Sequence, residues 1–205
     1  MAQRIHTVKL TKAKLKQIIK ESIEDEENEM KANLFRLYFN PEHRQQAIEL
    51  SNSLGTPINY NFFVGVNLPG VDLAGVDLGN FNLSGAVLTG ANLKNADLSG
   101  ADLSGADLQS ANLRITVLNE ANLKGANLKG ANLSGADLSN ADLTGANLAS
   151  ANLENAYVHN TDLSNSNLTN AILNSAAMYT AILQGANMKN ITYDKYTSFP
   201  KGFEP

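Results

Sequence analysis

The sequence predicts an all-β solenoid with an α-helical cap at its N-terminal end, and three observations carry that prediction. From Val66 to Asn190 the residues repeat with a period of five, 25 pentads without one insertion or deletion. The third residue of the pentad is Leu in 22, Met in two and Val in one, and the first is Ala in 18. Residues 1–57 lack this beat and carry apolar residues spaced three and four apart instead. A period of five fits neither an α-helix nor an alternating strand. It marks a repeat architecture whose units bury apolar surface only against their neighbours.

Within a pentad the first and third residues lie two apart, so an extended backbone points both inward. The second, Asn or Asp in most pentads, faces away. The fifth is mostly Gly or Asn, the residues that best tolerate positive φ. Each pentad therefore reads as a short extended segment followed by a corner, around an interior of Leu and Ala columns.

Ahead of the repeat, Thr11 is placed to cap a helix carrying Leu15, Ile18, Ile19 and Ile23 and ending near Asp25. A second helix follows, with Glu26, Glu27 and Glu29 in its first turn, where acids complement the helix dipole. Its apolar face is read as Met30, Leu34, Leu37 and Tyr38. Asn40 and Pro41 are expected to cap and open a third helix that buries Ala47, Leu50 and Leu54 and stops at Gly55. Three short helices cannot build a substantial core of their own. The first coil of a solenoid, however, exposes unpaired backbone groups and an apolar end. The helices are therefore expected to dock there, against the enlarged residues Phe62, Phe63, Val66, Val71, Val76 and Phe81. Past Asn190, Tyr193, Tyr196, Phe199 and Phe203 are expected to close the other end. The division is thus 1–57 as helical cap, 58–190 as rod and 191–205 as aromatic capping tail.

Pentads such as Ala96-Asp97-Leu98-Ser99-Gly100 resemble the A-(N/D)-L-x-x consensus of the pentapeptide-repeat family. The resemblance implies a right-handed, quadrilateral β-helix with four pentads to a coil, hence about six coils and a rod roughly 30 Å long. The ending Thr197-Ser198-Phe199-Pro200-Lys201-Gly202-Phe203-Glu204-Pro205 is similar to the tails of cyanobacterial members. That likeness, with no signal-peptide run at the N-terminus and no stretch of membrane-spanning length, leads us to expect a cytoplasmic protein that does not enter membranes.

No catalytic constellation is visible. His6, His43 and His159 are scattered, and the paired carboxylates all follow from the second position of the repeat. Cys is absent, which rules out disulfides and thiolate metal sites. The glycine spacing matches neither phosphate-binding fingerprint, and the glycine-rich nonapeptide of calcium-binding β-helices is missing. No enzyme, cofactor or metal is therefore expected. The net charge of −4 argues against direct nucleic-acid binding.

What remains is surface. Counting by twenty, the side centred on Leu78, Leu98, Leu118, Leu138, Val158 and Met178 carries Asp77, Asp97, Asp137 and Glu120 with no Lys or Arg. Asp102, Asp142 and Asp162 make the adjacent Leu83 side acidic too, against Lys124 alone. The Leu68 side is slightly basic and the Leu73 side neutral. The Leu78 side also presents Val117, Tyr157, His159 and Tyr179 where the repeat prefers small polar residues. Those eight residues form the candidate interaction surface. The structural alternative is that the acids only hydrogen-bond along their own column, as Asn does. The expectation is a non-catalytic interaction or scaffold protein, monomeric, with an unknown protein partner. The alternative implied by the resemblance is a DNA-mimicking binder or inhibitor of type II topoisomerase (gyrase). Such relatives are dimers with stronger negative charge.

Overall fold

The computed structural model describes residues 27–40, 42–53, 59 and 61–204. The expected first helix, and Leu54 and Gly55, lie outside the described residues. Two helices precede the repeat: α1, Glu27–Tyr38, and α2, Arg44–Ser53. Arg36 in the last turn of α1 complements its dipole. Below it, the Asn33 side-chain oxygen accepts from the guanidinium at 3.2 Å. At the connection Pro41 lies outside the described residues, and Asn40 behaves as the expected cap. The Asn40 side chain accepts the Glu42 N–H at 2.9 Å, and its carbonyl accepts from His43 and Arg44. These are the bonds of an N-cap, as expected of Asn40, and the regular helix α2 runs on from Arg44.

The apolar face of α1 also needs correction. Phe35, absent from the expected stripe, is fully buried and belongs with Ala32 to the core of the rod. Leu34 packs the other way, with Ala47 and Leu50 of α2, and Met30 and Leu37 flank that cluster. The helix is sandwiched between its partner and the solenoid, so two stripes are buried where one was read. Phe35 meets Phe63 edge-on at 4.7 Å between ring centroids, and Phe39 meets Phe81 at 5.4 Å. Val71, Val76 and Phe81 of the first coil pack against the same core but stay partly exposed.

The rod is a stack of parallel bridges at a constant step of twenty residues, from Asn67↔Val87 onward. Four pentads therefore make one four-sided coil. The second-position N–H donates to the coil before (Asp97 to the Val76 carbonyl, 3.0 Å). The third-position N–H donates to the coil after (Leu98 to the Val117 carbonyl, 2.8 Å). At each corner the next first-position N–H returns to the third-position carbonyl, as Ala101 does to Leu98 at 3.1 Å. The residue before that N–H has positive φ (+62° at Gly100, +59° at Asn95), the pattern of a type II turn. From Ala86 to Ala181 every first- and third-position side chain is buried. The three hydroxyls among them are satisfied, Thr116, Thr161 and Ser166 each donating to a backbone carbonyl at 2.7 Å.

Pairing does not end at Asn190. Thr192 continues the ladder from Ile172, and Ser198 pairs with Ala177, so the step lengthens by one residue in the last turn. Asp194 fills that added turn. Its carboxylate accepts from the Ser175 N–H (2.9 Å), the Ser175 hydroxyl (3.0 Å) and the N–H groups of Tyr196 and Thr197 (3.0 Å each). Together these donors hold its pKa down at about 2. Phe199 then folds against the core, with Tyr193 and Phe203 each 5.4 Å from its ring.

Candidate interaction surface

The twenty-residue step brings the candidate residues onto one side of the rod. Asp77, Asp97, Val117, Asp137, Tyr157 and Ala177 follow one another as bridged neighbours in a single outward column. His159 and Tyr179 stand in the fourth-position column beside it. Glu120 sits at the corner leading off this side, at φ +62°. Asp77, Asp97 and Glu120 are exposed and Asp137 is half-buried.

Each column Asp first serves its own corner. Asp77, Asp97 and Asp137 accept the N–H two residues on, from Gly79, Ser99 and Ser139, at 3.0, 2.9 and 3.0 Å. Hydrogen bonds from Ser99 hold the Asp97 carboxyl below the usual range. On each of the other three sides an acid gains a cross-coil bond from a stacked Asn amide, although Asp142 and Asp162 of the Leu83 side, bridged to each other, do not. Asn92 donates to Asp72 (2.8 Å), Asn122 to Asp102 (3.0 Å) and Asn127 to Asp107 (2.9 Å). The Leu78 side has no Asn in its second-position column, so its acids receive no such amide. Asp97 lies next to Asp77 as like charges, an arrangement that costs stability. The expectation that these acids hydrogen-bond along their column as Asn does is therefore not met on this side.

Further along, His159 lies between two tyrosines, 4.5 Å from the Tyr179 ring and 6.2 Å from Tyr157. Its Nδ1 is buried without a hydrogen-bond partner. Tyr157 and Tyr179 are 54% and 56% exposed, and Val117 37%. The sequence reading missed Ile115. It occupies the corner just before this side, 54% exposed and at φ +54°. A β-branched residue is an outlier in that conformation, and its signal was the departure from Gly or Asn at a fifth position. No group of metal-ligating side chains occurs among the described residues, and none of the described helices is long and apolar enough to cross a membrane.

A family model for pentapeptide repeats matches in eight copies, over residues 67–105, 82–119, 106–145 and 151–190. No curated protein matches the sequence. Among solved structures, the pentapeptide repeat protein alr5209 of Nostoc PCC 7120 is 40% identical over 45% of this chain and 77% of its own, with a TM-score of 0.45. HetL from the same organism, described as involved in heterocyst differentiation regulation, is 28% identical over 78% of this chain and 98% of its own (TM-score 0.38). Rfr23 of Cyanothece 51142 is 30% identical over 76% of this chain and 99% of its own (TM-score 0.34). With its pentads in unbroken register and each of them forming one side of a coil, the chain belongs to the pentapeptide repeat family.

Proposed function

We propose that this protein is a non-catalytic binding rod that works by presenting the Leu78 side to a protein partner. The observation that carries the reading is the departure of that one side from the repeat's own chemistry. Its acids receive no stacked amide, as is true elsewhere only of Asp142 and Asp162 on the Leu83 side, and within the repeat it alone sets exposed tyrosines, Tyr157 and Tyr179, in line with its acids. Like-charge stacking costs stability and exposed rings cost solubility, and the Leu68 and Leu73 sides of the repeat show that the fold requires neither. In the same reading the coil has the right-handed winding that family membership implies. Helices α1 and α2 close one end of the rod, and the segment after Asn190, whose pairing runs on to Ser198, closes the other.

The test is affinity capture from the native host with three baits. Reversing charge at Asp77, Asp97 and Asp137 is expected to lose the partner held by the unaltered chain. Lys129→Glu with Lys189→Glu, on the opposite side, should keep it. Equal recovery by all three baits would remove the Leu78 side from the account. The DNA-mimic alternative is weaker. Four carboxylates between Asp77 and Asp137, three coil steps or about 14 Å apart, fall short of B-DNA's one charge per roughly 1.7 Å. No inhibition is expected in a gyrase supercoiling assay, and concentration-dependent inhibition would restore that alternative.

A further inference from the structure

We propose that the Leu78 side recognises an arginine-bearing segment of its protein partner, laid along the rod axis. Guanidinium groups stack on Tyr157 and Tyr179 and pair with Asp137 and Asp97. The proposal rests on the reading of the rod as a binding protein and specifies the chemistry of what it binds.

Two sets of groups converge on this side. The first is aromatic. Tyr157 and Tyr179 are both more than half exposed, and His159, 4.5 Å from the Tyr179 ring, supports it from within the side. Exposed tyrosine faces attract cations, and a planar guanidinium more than a compact ammonium. The second is anionic. Asp137 is the bridged neighbour of Tyr157 in the next coil, and Asp97 lies two coils further, with Val117 between. At about 4.8 Å per coil, a ring and a carboxylate in neighbouring coils fall within the span of one arginine head group. These acids take no cross-coil amide, leaving their outer lone pairs to a donor from outside. No Lys or Arg on this side competes for them. Ile115 and Val117, exposed at the adjoining corner and in the column, add an aliphatic contact for the stem of such a segment. The charge sign excludes a nucleic-acid occupant, and the tyrosines separate this surface from a plain acidic stripe, which would treat arginine and lysine alike.

The experiment titrates the full chain against two fluorescein-labelled peptides, hexa-arginine and hexa-lysine, by anisotropy at about 0.15 M salt. Hexa-arginine is expected to bind about two- to fivefold more tightly, the scale of an exposed cation–π contact. Tyr157→Asn with Tyr179→Ser, residues the repeat uses at those positions, should erase the preference and leave hexa-lysine binding unchanged. Asp97→Asn with Asp137→Asn should weaken both peptides several-fold, while Asp107→Asn on the opposite side should weaken neither. Equal affinity for the two peptides, or a preference that survives loss of both tyrosines, would overturn the proposal. If the peptides show no preference while charge reversal still abolishes partner capture, the binding rod stands and the arginine chemistry falls.

Discussion

Asp97 stacks on Asp77 one coil away, whereas Asn92 stacks on Asp72 and donates to it at 2.8 Å. Two pairs in the same geometry thus differ by one amide, which makes a clean comparison. Asp97→Asn removes a like-charge contact and supplies the missing donor, while its side-chain oxygen can still accept the Ser99 N–H. It should raise stability by about 0.5–1 kcal/mol, seen as a higher urea midpoint with unchanged slope. A lower midpoint would mean that the carboxylate serves the fold after all. Asp194 behaves in the opposite sense. Its folded pKa is depressed to about 2 from an ordinary 3.8 by the donors around it. The stability it lends is therefore fully present above about pH 4 and is lost as the pH falls toward 2. The difference in melting temperature between the unaltered chain and Asp194→Ala should shrink over that window. A constant difference from pH 5 to pH 2 would contradict the assignment.

Among the elements, α1 depends on one ring. Phe35 is fully buried against Phe63 at the mouth of the rod. Phe35→Ala should cost about 3–5 kcal/mol at that end. Coils of a solenoid contact only their neighbours, so the loss should stay local. Amide exchange should quicken from Phe63 to Phe81 and stay slow from Ala121 to Asn160. Uniform acceleration along the chain would show that the helices do not act as an end cap. This is also where sequence reading met its limit. A 3.6-residue stripe identifies one buried face, and Met30, Leu34 and Leu37 were legible because they meet α2. Phe35 and Ala32 point at the rod, and nothing in a single helix reveals a second neighbour. Asn40 was legible as a cap for the opposite reason, since its own side chain and carbonyl supply the capping bonds without help from another element.

At the scale of the whole molecule, the strict beat made the inward Leu and Ala columns and the positive-φ corners legible from the residues alone. A stack is free to use three, four or five segments to a coil, however, and only the family resemblance supplied four. Once four is given, counting by twenty sorts outward residues into columns and gathers Asp77 through Tyr179 on one side. The count could not show that the acids there lack amide donors, or that Ile115 at a corner adjoins them. It also missed the ladder's run past Asn190 to Ser198, because an added residue breaks the sequence beat without breaking the pairing.

Everything said of faces depends on that twenty-residue step, and a chain without cysteine permits a direct test. Asn112 and Asn132 are bridged neighbours in adjacent coils, whereas Asn112 and Asp137 lie on different sides. Cα atoms about 5 Å apart lie within disulfide range. Under mild oxidation, Asn112→Cys with Asn132→Cys should form an intramolecular disulfide in the folded chain, and Asn112→Cys with Asp137→Cys should remain reduced. A bond in the second pair and none in the first would contradict the four-sided rod and with it the shared face.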